Sequence, residues 1–191
     1  LLAPKVMEIY GIDHAPIVSE IVEKRSDIRR NEVYQIGSAE NLQLPDNYSD
    51  IMLFIASFHH IPDDAMTAAL NEIVRVSRNG GHVLILEPVS EQGTYSDLIA
   101  KIEDERDILK KTEAMIDSLN PVIYQRESES FYYIQRSSSD YRLVIESYIS
   151  DKVKRNQIWS GIQMEYAEES LDPDSIQFKS LCRVVILRIN K

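Results

Sequence analysis

Four apolar runs in this 191-residue chain stop at residues whose side chains could do chemistry. Val6 to Asp13 closes on Gly11-Ile12-Asp13, Glu32 to Ile36 on Gly37-Ser38-Ala39-Glu40, Ile51 to Ala56 on Ser57-Phe58-His59-His60, and Val83 to Leu86 on Glu87-Pro88. A carboxylate at Asp13 can accept both hydrogen bonds of a ribose diol. Imidazoles at His59 and His60 can take a proton from a hydroxyl or an amine near neutral pH, and the same dipeptide can instead fix the loop that follows its strand. No metal is expected, because two adjacent histidines point apart and no third ligand is spaced to join them.

The runs themselves predict the elements that must carry these residues. Each is short and bounded by glycine, proline or acid, as strands are. Continuous apolarity in Ile51 to Ala56 and Val83 to Leu86 suits parallel strands covered on both faces. Between them lie helical patterns, one opening at Pro16 with Ile17, Ile21 and Val22, another starting at Asp63 and Asp64 with a stripe of Met66, Ala69, Leu70, Ile73 and Val74. Asn79-Gly80-Gly81 is expected to stop that second helix. Three strand-helix alternations in about ninety residues predict an open parallel α/β sheet with right-handed crossovers.

Beyond residue 90 the character changes. A charged helix is expected from 97 to 119, broken by Pro121, with further helices near 139–150 and 152–168 and a closing strand at Arg183 to Ile189. Val122 to Arg126 and Phe131 to Gln135 are both candidates for the strand that pairs with it. Seven of the ten tyrosines and the single tryptophan, Trp159, fall in this half, where they could form a lid over a substrate or a half-buried core.

Composition excludes several classes. With 43% apolar and 27% charged residues the chain is neither disordered nor fibrous. A net charge of −10 and a pI of about 4.9, with no basic run, argue against a nucleic-acid partner. No apolar stretch approaches the roughly 20 residues that span a bilayer. The lone Cys182 excludes an internal disulfide, lies in an apolar run as a buried thiol, and suits a reducing cytoplasmic setting.

Taken in order, five segments resemble class I S-adenosylmethionine-dependent methyltransferases of the ubiquinone-biosynthesis-like, type 11 style. They are Tyr10-Gly11-Ile12-Asp13, Gly37-Ser38-Ala39-Glu40-Asn41-Leu42-Gln43-Leu44-Pro45, Tyr48-Ser49-Asp50 with His59-His60-Ile61, Asn71-Glu72-Ile73-Val74-Arg75-Val76, and Asn79-Gly80-Gly81-His82-Val83-Leu84-Ile85. The resemblance implies a Rossmann-like α/β sheet of parallel strands with a C-terminal antiparallel strand and a helical insertion after residue 90. It implies S-adenosyl-L-methionine as cofactor and a small-molecule acceptor. Asp13 would hold the ribose hydroxyls, His14 would pack on the adenine, Ser38 would stand where the family commonly has an aspartate, Ala39 would offer its N–H to the adenine, and Ser57 with Phe58 would line the methyl-donor channel. His59 and His60 are the catalytic candidates, while Asp50 looks structural.

One departure matters: the family's glycine-rich loop has no match, since no G-x-G occurs. Leu1 to Lys5 reads as the end of the helix that would follow that loop, so the first, central strand is expected to be missing between those ending at Asp13 and Ala56. A homo-oligomer or a complementing chain would then cover the gap, because unpaired strand edges are costly. The organisation that follows is residues 1–90 as a cofactor-binding half, 91–175 as a helical, Tyr-rich lid or substrate region, and 176–191 as the final strand. The alternative to an enzyme is a methyltransferase-like binding or partner-regulating module.

Overall fold

A computed structural model describes residues 5–89, 94–165 and 177–191. The expected helix end at Leu1 to Lys5 lies almost wholly outside these residues, as does Tyr166. Strand β1 (Ile9–Asp13) passes through helix α1 (Ala15–Lys24) to strand β2 (Glu32–Ile36), and the two strands pair in parallel from Ile9↔Glu32 to Asp13↔Ile36. Both carboxyl ends therefore emerge side by side. The Gly37 N–H donates to the Asp13 carbonyl at 3.0 Å, which carries the pairing one step past the strands.

A second sheet of four strands has the order β3-β4-β6-β5. It is built from β3 (Ser49–Ile55), β4 (Ser77–Pro88), β5 (Tyr124–Ser137) and β6 (Gln177–Ile189). Along β3 and β4 the bonds Tyr48 N–H to Val76 O and Ala56 N–H to Leu86 O advance together, so these strands are parallel. Along β4 and β6 the contacts Val89 to Leu181 and Asn79 to Lys191 run in opposite senses, so the last strand is antiparallel. Among the described residues β1 and β3 are not paired to each other, and each ends its own sheet.

Several expectations need correction. The alternate residues Ile51, Leu53 and Ile55 of β3 are 59%, 42% and 61% exposed, so this strand is not covered on both faces. An edge strand with one face open reads in sequence like a buried one, because apolarity reports residue type and not neighbours. Helix α2 (Met66–Val76) begins after Asp63 and Asp64, and ends before the Asn79-Gly80-Gly81 turn, which lies inside β4. Gly80 takes a φ of 80°, and a Cβ on Gly81 would stand 3.0 Å from the Arg78 carbonyl and 3.2 Å from that of Asp50. Those glycines serve the approach of β4 to β3 and not a helix stop.

The helix expected at 97–119 is two: α3 (Thr94–Ile99) and α4 (Arg106–Asp117). The first closes through Lys101 N–H to Leu98 O and Ile102 N–H to Ile99 O, and the Asp104 carboxylate then accepts from Arg106 N–H and restarts the helix. The two candidate strands at 122–126 and 131–135 are parts of one, β5, beside β6 at the sheet edge. Helices α5 (Ser138–Tyr148) and α6 (Lys152–Glu165) follow, α5 starting from a capping box made by Ser137 and Asp140.

The chain divides into two units: Leu1–Met52 with Ile61–His82 and Ile189–Lys191, and Leu53–His60 with Val83–Arg188. In the first, Ala69 and Ile73 of the apolar stripe of α2 are buried, together with Val76. In the second, Leu98, Tyr141, Ile145, Ile149, Trp159, Ile162 and Phe178 form one core. Tyr141 and Tyr124 thus belong to packed interior, while Tyr132, Tyr133 and Tyr148 are exposed. Cys182 is buried as expected, and burial pushes its thiol up.

The Tyr141 hydroxyl donates to the Leu98 carbonyl at 2.7 Å inside that core. Tyr141→Phe removes one of the two donors to the Leu98 carbonyl, Lys101 N–H remaining as the other, and should cost about 1 kcal/mol. A thermal melt should fall by about 2 to 4 °C for a chain of this size; an unchanged melt would refute the role given to this bond.

Candidate functional site

Asp13 and His14 stand exposed where β1 stops, and the Asp13 carboxylate accepts the His14 N–H at 2.7 Å. The rest of its acceptor capacity meets no partner among the described residues, so the group is able to receive a hydroxyl pair. Beside it, past the end of β2, Ser38 and Asn41 form a bridge closed by Asn41 N–H to Ser38 O at 3.2 Å, with Ala39 and Glu40 as the two turn residues. The parallel pairing of β1 and β2 thereby brings Asp13, His14, Ser38 and Ala39 to one end of one sheet.

The segment after Ser38 is pinned by helix α2. Arg75 donates to the carbonyls of Leu42 at 2.9 Å and Leu44 at 2.8 Å, to Asp46 at 2.7 Å, and to Glu72, which itself accepts the Leu42 N–H at 2.7 Å. The Glu72 hydrogen bond holds the Arg75 guanidinium above its ordinary range, while that same pairing lowers the carboxyl of Glu72. A planar guanidinium serves this clamp because it presents several donors at fixed angles. Asp50 pairs with Arg78 at 2.6 Å, a structural role as expected.

In the second unit Ser57, Phe58, His59 and His60 share one loop. Ala56 opens it at a φ of 47°, a left-handed conformation that an alanine adopts only when its surroundings hold it there. A 3-10 turn at Phe58–His60 follows. What holds this loop is Glu87, 3% exposed at the end of β4. One carboxylate oxygen accepts Ser57 N–H at 3.1 Å and Phe58 N–H at 2.7 Å, and the other bonds His59 Nδ1. Since a carboxylate only accepts, Nδ1 carries the proton and the lone pair of the neutral ring sits on Nε2.

His59 itself is 2% exposed. Burial works against its charged form, but the hydrogen bond to Glu87 and the charges of Glu87 and Glu105 outweigh it and hold the imidazole above the ordinary histidine range. Its Nε2 finds no hydrogen-bond partner among the described residues. Glu105, at the start of α4, places a carboxylate oxygen 3.9 Å from that nitrogen. The exposed His60 ring lies 4.0 Å from the His59 ring, centroid to centroid. The sequence reading had set the histidines apart with no third ligand near; the break between α3 and α4 is what brings Glu105 to them.

A cleft of about 440 Å³ lies elsewhere in this unit, edged by Asp117, Arg126, Glu129 and Arg183. Its charges are spent on one another: Arg183 bonds Asp117 at 2.5 Å and Glu129 at 2.7 Å, and Arg126 bonds Asp117 at 2.9 Å. The Arg183 guanidinium holds the Asp117 carboxyl below its usual range. The cleft is an ion-paired seam and not a centre of chemistry.

Glu87, Glu105 and the Glu72–Arg75 clamp are the residues that sequence reasoning left without a role. Only Glu87 was signalled, as the acid closing an apolar strand.

Residues 1–85 match the family model described as a methyltransferase domain. A Bacillus halodurans C-125 protein assigned as a methyltransferase superposes with a TM-score of 0.65 at 17% identity, covering 100% of this chain and 86% of that one. The YcgJ protein of Bacillus subtilis gives 0.61 at 19% identity with the same coverage. A SAM-dependent methyltransferase from Methanosarcina mazei gives 0.52 at 12% identity, covering 96% of this chain and 82% of that one. No curated protein matches by sequence. The match to the methyltransferase-domain model is confined to residues 1–85, and the likeness to these solved structures shows a Rossmann-like α/β fold.

Proposed function

We propose that the protein transfers the methyl group of S-adenosylmethionine to a small-molecule acceptor. The observation that carries this is Asp13, an exposed carboxylate with acceptor capacity to spare, at the end of β1 inside the matched domain. In this reading Asp13 receives the ribose hydroxyls, His14 lies along the adenine, and Ser38 and Ala39 bond the adenine edge. For Ser57 and Phe58, whose backbone N–H groups Glu87 holds, the family resemblance implies a place at the methyl-donor channel, and Phe58 is wholly buried in this structure.

The cofactor supplies an electrophilic methyl on a positive sulfonium, itself an excellent leaving group. The chain's own work is then alignment and exclusion of water. His59 and His60 are the candidate bases for an acceptor hydroxyl, thiol or amine that must lose a proton. Glu87 fixes which nitrogen is presented. The edge of β3, unpaired among the described residues, supports a further strand pairing there, from a second copy or another segment.

Calorimetric titration of S-adenosylhomocysteine tests the reading, with saturable one-to-one binding expected at micromolar concentrations, on the order of −8 kcal/mol. No heat from a protein shown to be folded would sink it, and would favour the methyltransferase-shaped binding module.

A further inference from the structure

We propose that His59 Nε2, a ring nitrogen of His60 and the Glu105 carboxylate bind a divalent cation of the zinc class, with one coordination position left open. One ligand atom from each of the three residues already lies within 4.8 Å of the others. Three features of this cluster point to an ion and not to a chance grouping.

The first is the orphaned nitrogen. His59 is 2% exposed, and its Nε2 has no hydrogen-bond partner among the described residues. A buried polar atom without a partner is costly, so folds rarely retain one without use. The second is the state of the opposite nitrogen. Glu87 accepts the hydrogen bond of Nδ1–H, which leaves the lone pair of the neutral ring on Nε2 and fixes the ring plane. A carboxylate behind an imidazole is the usual outer partner of a metal-bound histidine, because it sets the tautomer and strengthens the donor nitrogen.

The third is Glu105. Its carboxylate faces that nitrogen at 3.9 Å, too far for a hydrogen bond and near the spacing of two ligands on one ion. Bonds of roughly 2.0 to 2.1 Å at a tetrahedral centre put ligand atoms roughly 3.4 Å apart. Side-chain rotation of about 1 Å would close the cluster onto an ion. Glu105 is half-buried and His60 exposed, so both are free to make that adjustment while Glu87 anchors His59.

The donor set names the metal class. Two imidazoles and one carboxylate suit zinc and its neighbours, whereas calcium and magnesium prefer all-oxygen shells. Three protein ligands with an open fourth position is the pattern of reactive zinc sites, in which the last ligand is water or substrate. Joined to the methyl-transfer reading, the ion would replace the free His59 Nε2 as the activating group: it would bind the acceptor's thiol or hydroxyl, whose proton would pass to solvent, and His59 would serve as a ligand and not as a base. Ion binding itself stands without that reading.

The test uses chelator-treated protein titrated with zinc chloride, and cobalt chloride as a spectroscopic stand-in. One equivalent of zinc should bind, and cobalt should give the strong visible absorption of a four-coordinate site. His60→Ala and Glu105→Gln, both changes at solvent-reachable side chains, should each weaken zinc at least tenfold and remove the cobalt band, with unchanged circular dichroism. His82→Ala, at one of the two histidines outside the cluster, should leave both readings as they are. Substoichiometric binding, or affinity indifferent to His60→Ala and Glu105→Gln, overturns the proposal. Titration of S-adenosylhomocysteine into the metal-free protein tests the methyl-transfer reading separately, so that failure of one is distinguishable from failure of the other.

Discussion

Glu87→Ala is expected to lower the melting temperature of the protein by about 10 °C, more than any other single change proposed for it. The carboxylate is 3% exposed and accepts from two backbone N–H groups and from His59 Nδ1. Alanine removes the acceptor of all three at once, in a place where water cannot replace it. Stranding the partners of a buried charged group costs about 3 to 5 kcal/mol, and each kcal/mol moves the melt by about 2 to 4 °C in a chain of this size. Glu87→Gln keeps the size and one acceptor oxygen, so its loss should be less than half as large. If the alanine variant melts within about 2 °C of the natural protein, Ser57 to His59 are held by something else. Relaxation of the loop should also release Ala56 from its left-handed conformation, which local hydrogen exchange at Ser57 and Phe58 would show as lost protection.

Asp13→Ala has the largest effect expected on binding. Two charge-assisted hydrogen bonds to a ribose diol, at about 1.5 kcal/mol each, correspond to roughly a hundredfold loss of affinity for S-adenosylhomocysteine. Asp13→Asn retains one acceptor oxygen and should lose about tenfold. Both variants should melt with the natural protein, because the side chain is exposed and its described partner is the neighbouring His14 N–H. That separation of affinity from stability distinguishes a ligand-binding carboxylate from a turn-forming one. Equal affinity in all three proteins would remove Asp13 from the cofactor site, whatever the enzyme's activity.

Strand β2 was legible to the residue, and β1, α1 and the last strand closely, because short apolar runs bounded by glycine, proline and acid have few other uses. The positions of Asp13 and Ser38 followed from those strands, since a parallel pair delivers both carboxyl ends to one edge. The outer face of β3 was misread for the reason that Ile51, Leu53 and Ile55 look alike whether or not something covers them. The single helix at 97–119 was misread because neither glycine nor proline marks its break; backbone turns at Leu98 and Ile99 and the Asp104 carboxylate make it.

The sequence by itself determined which residues end each strand, in the order and spacing that a methyltransferase-domain model matches over residues 1–85. Covalent order sets which residue ends each strand, so local pattern was enough for Asp13, Ser38 and the Ser57 to His60 loop. Only the tertiary structure decided how His59 is presented. Glu87 and Glu105 lie 28 and 46 residues from it along the chain (87 − 59 and 105 − 59). Packing alone brings one carboxylate to each ring nitrogen, leaving one bonded and the other open.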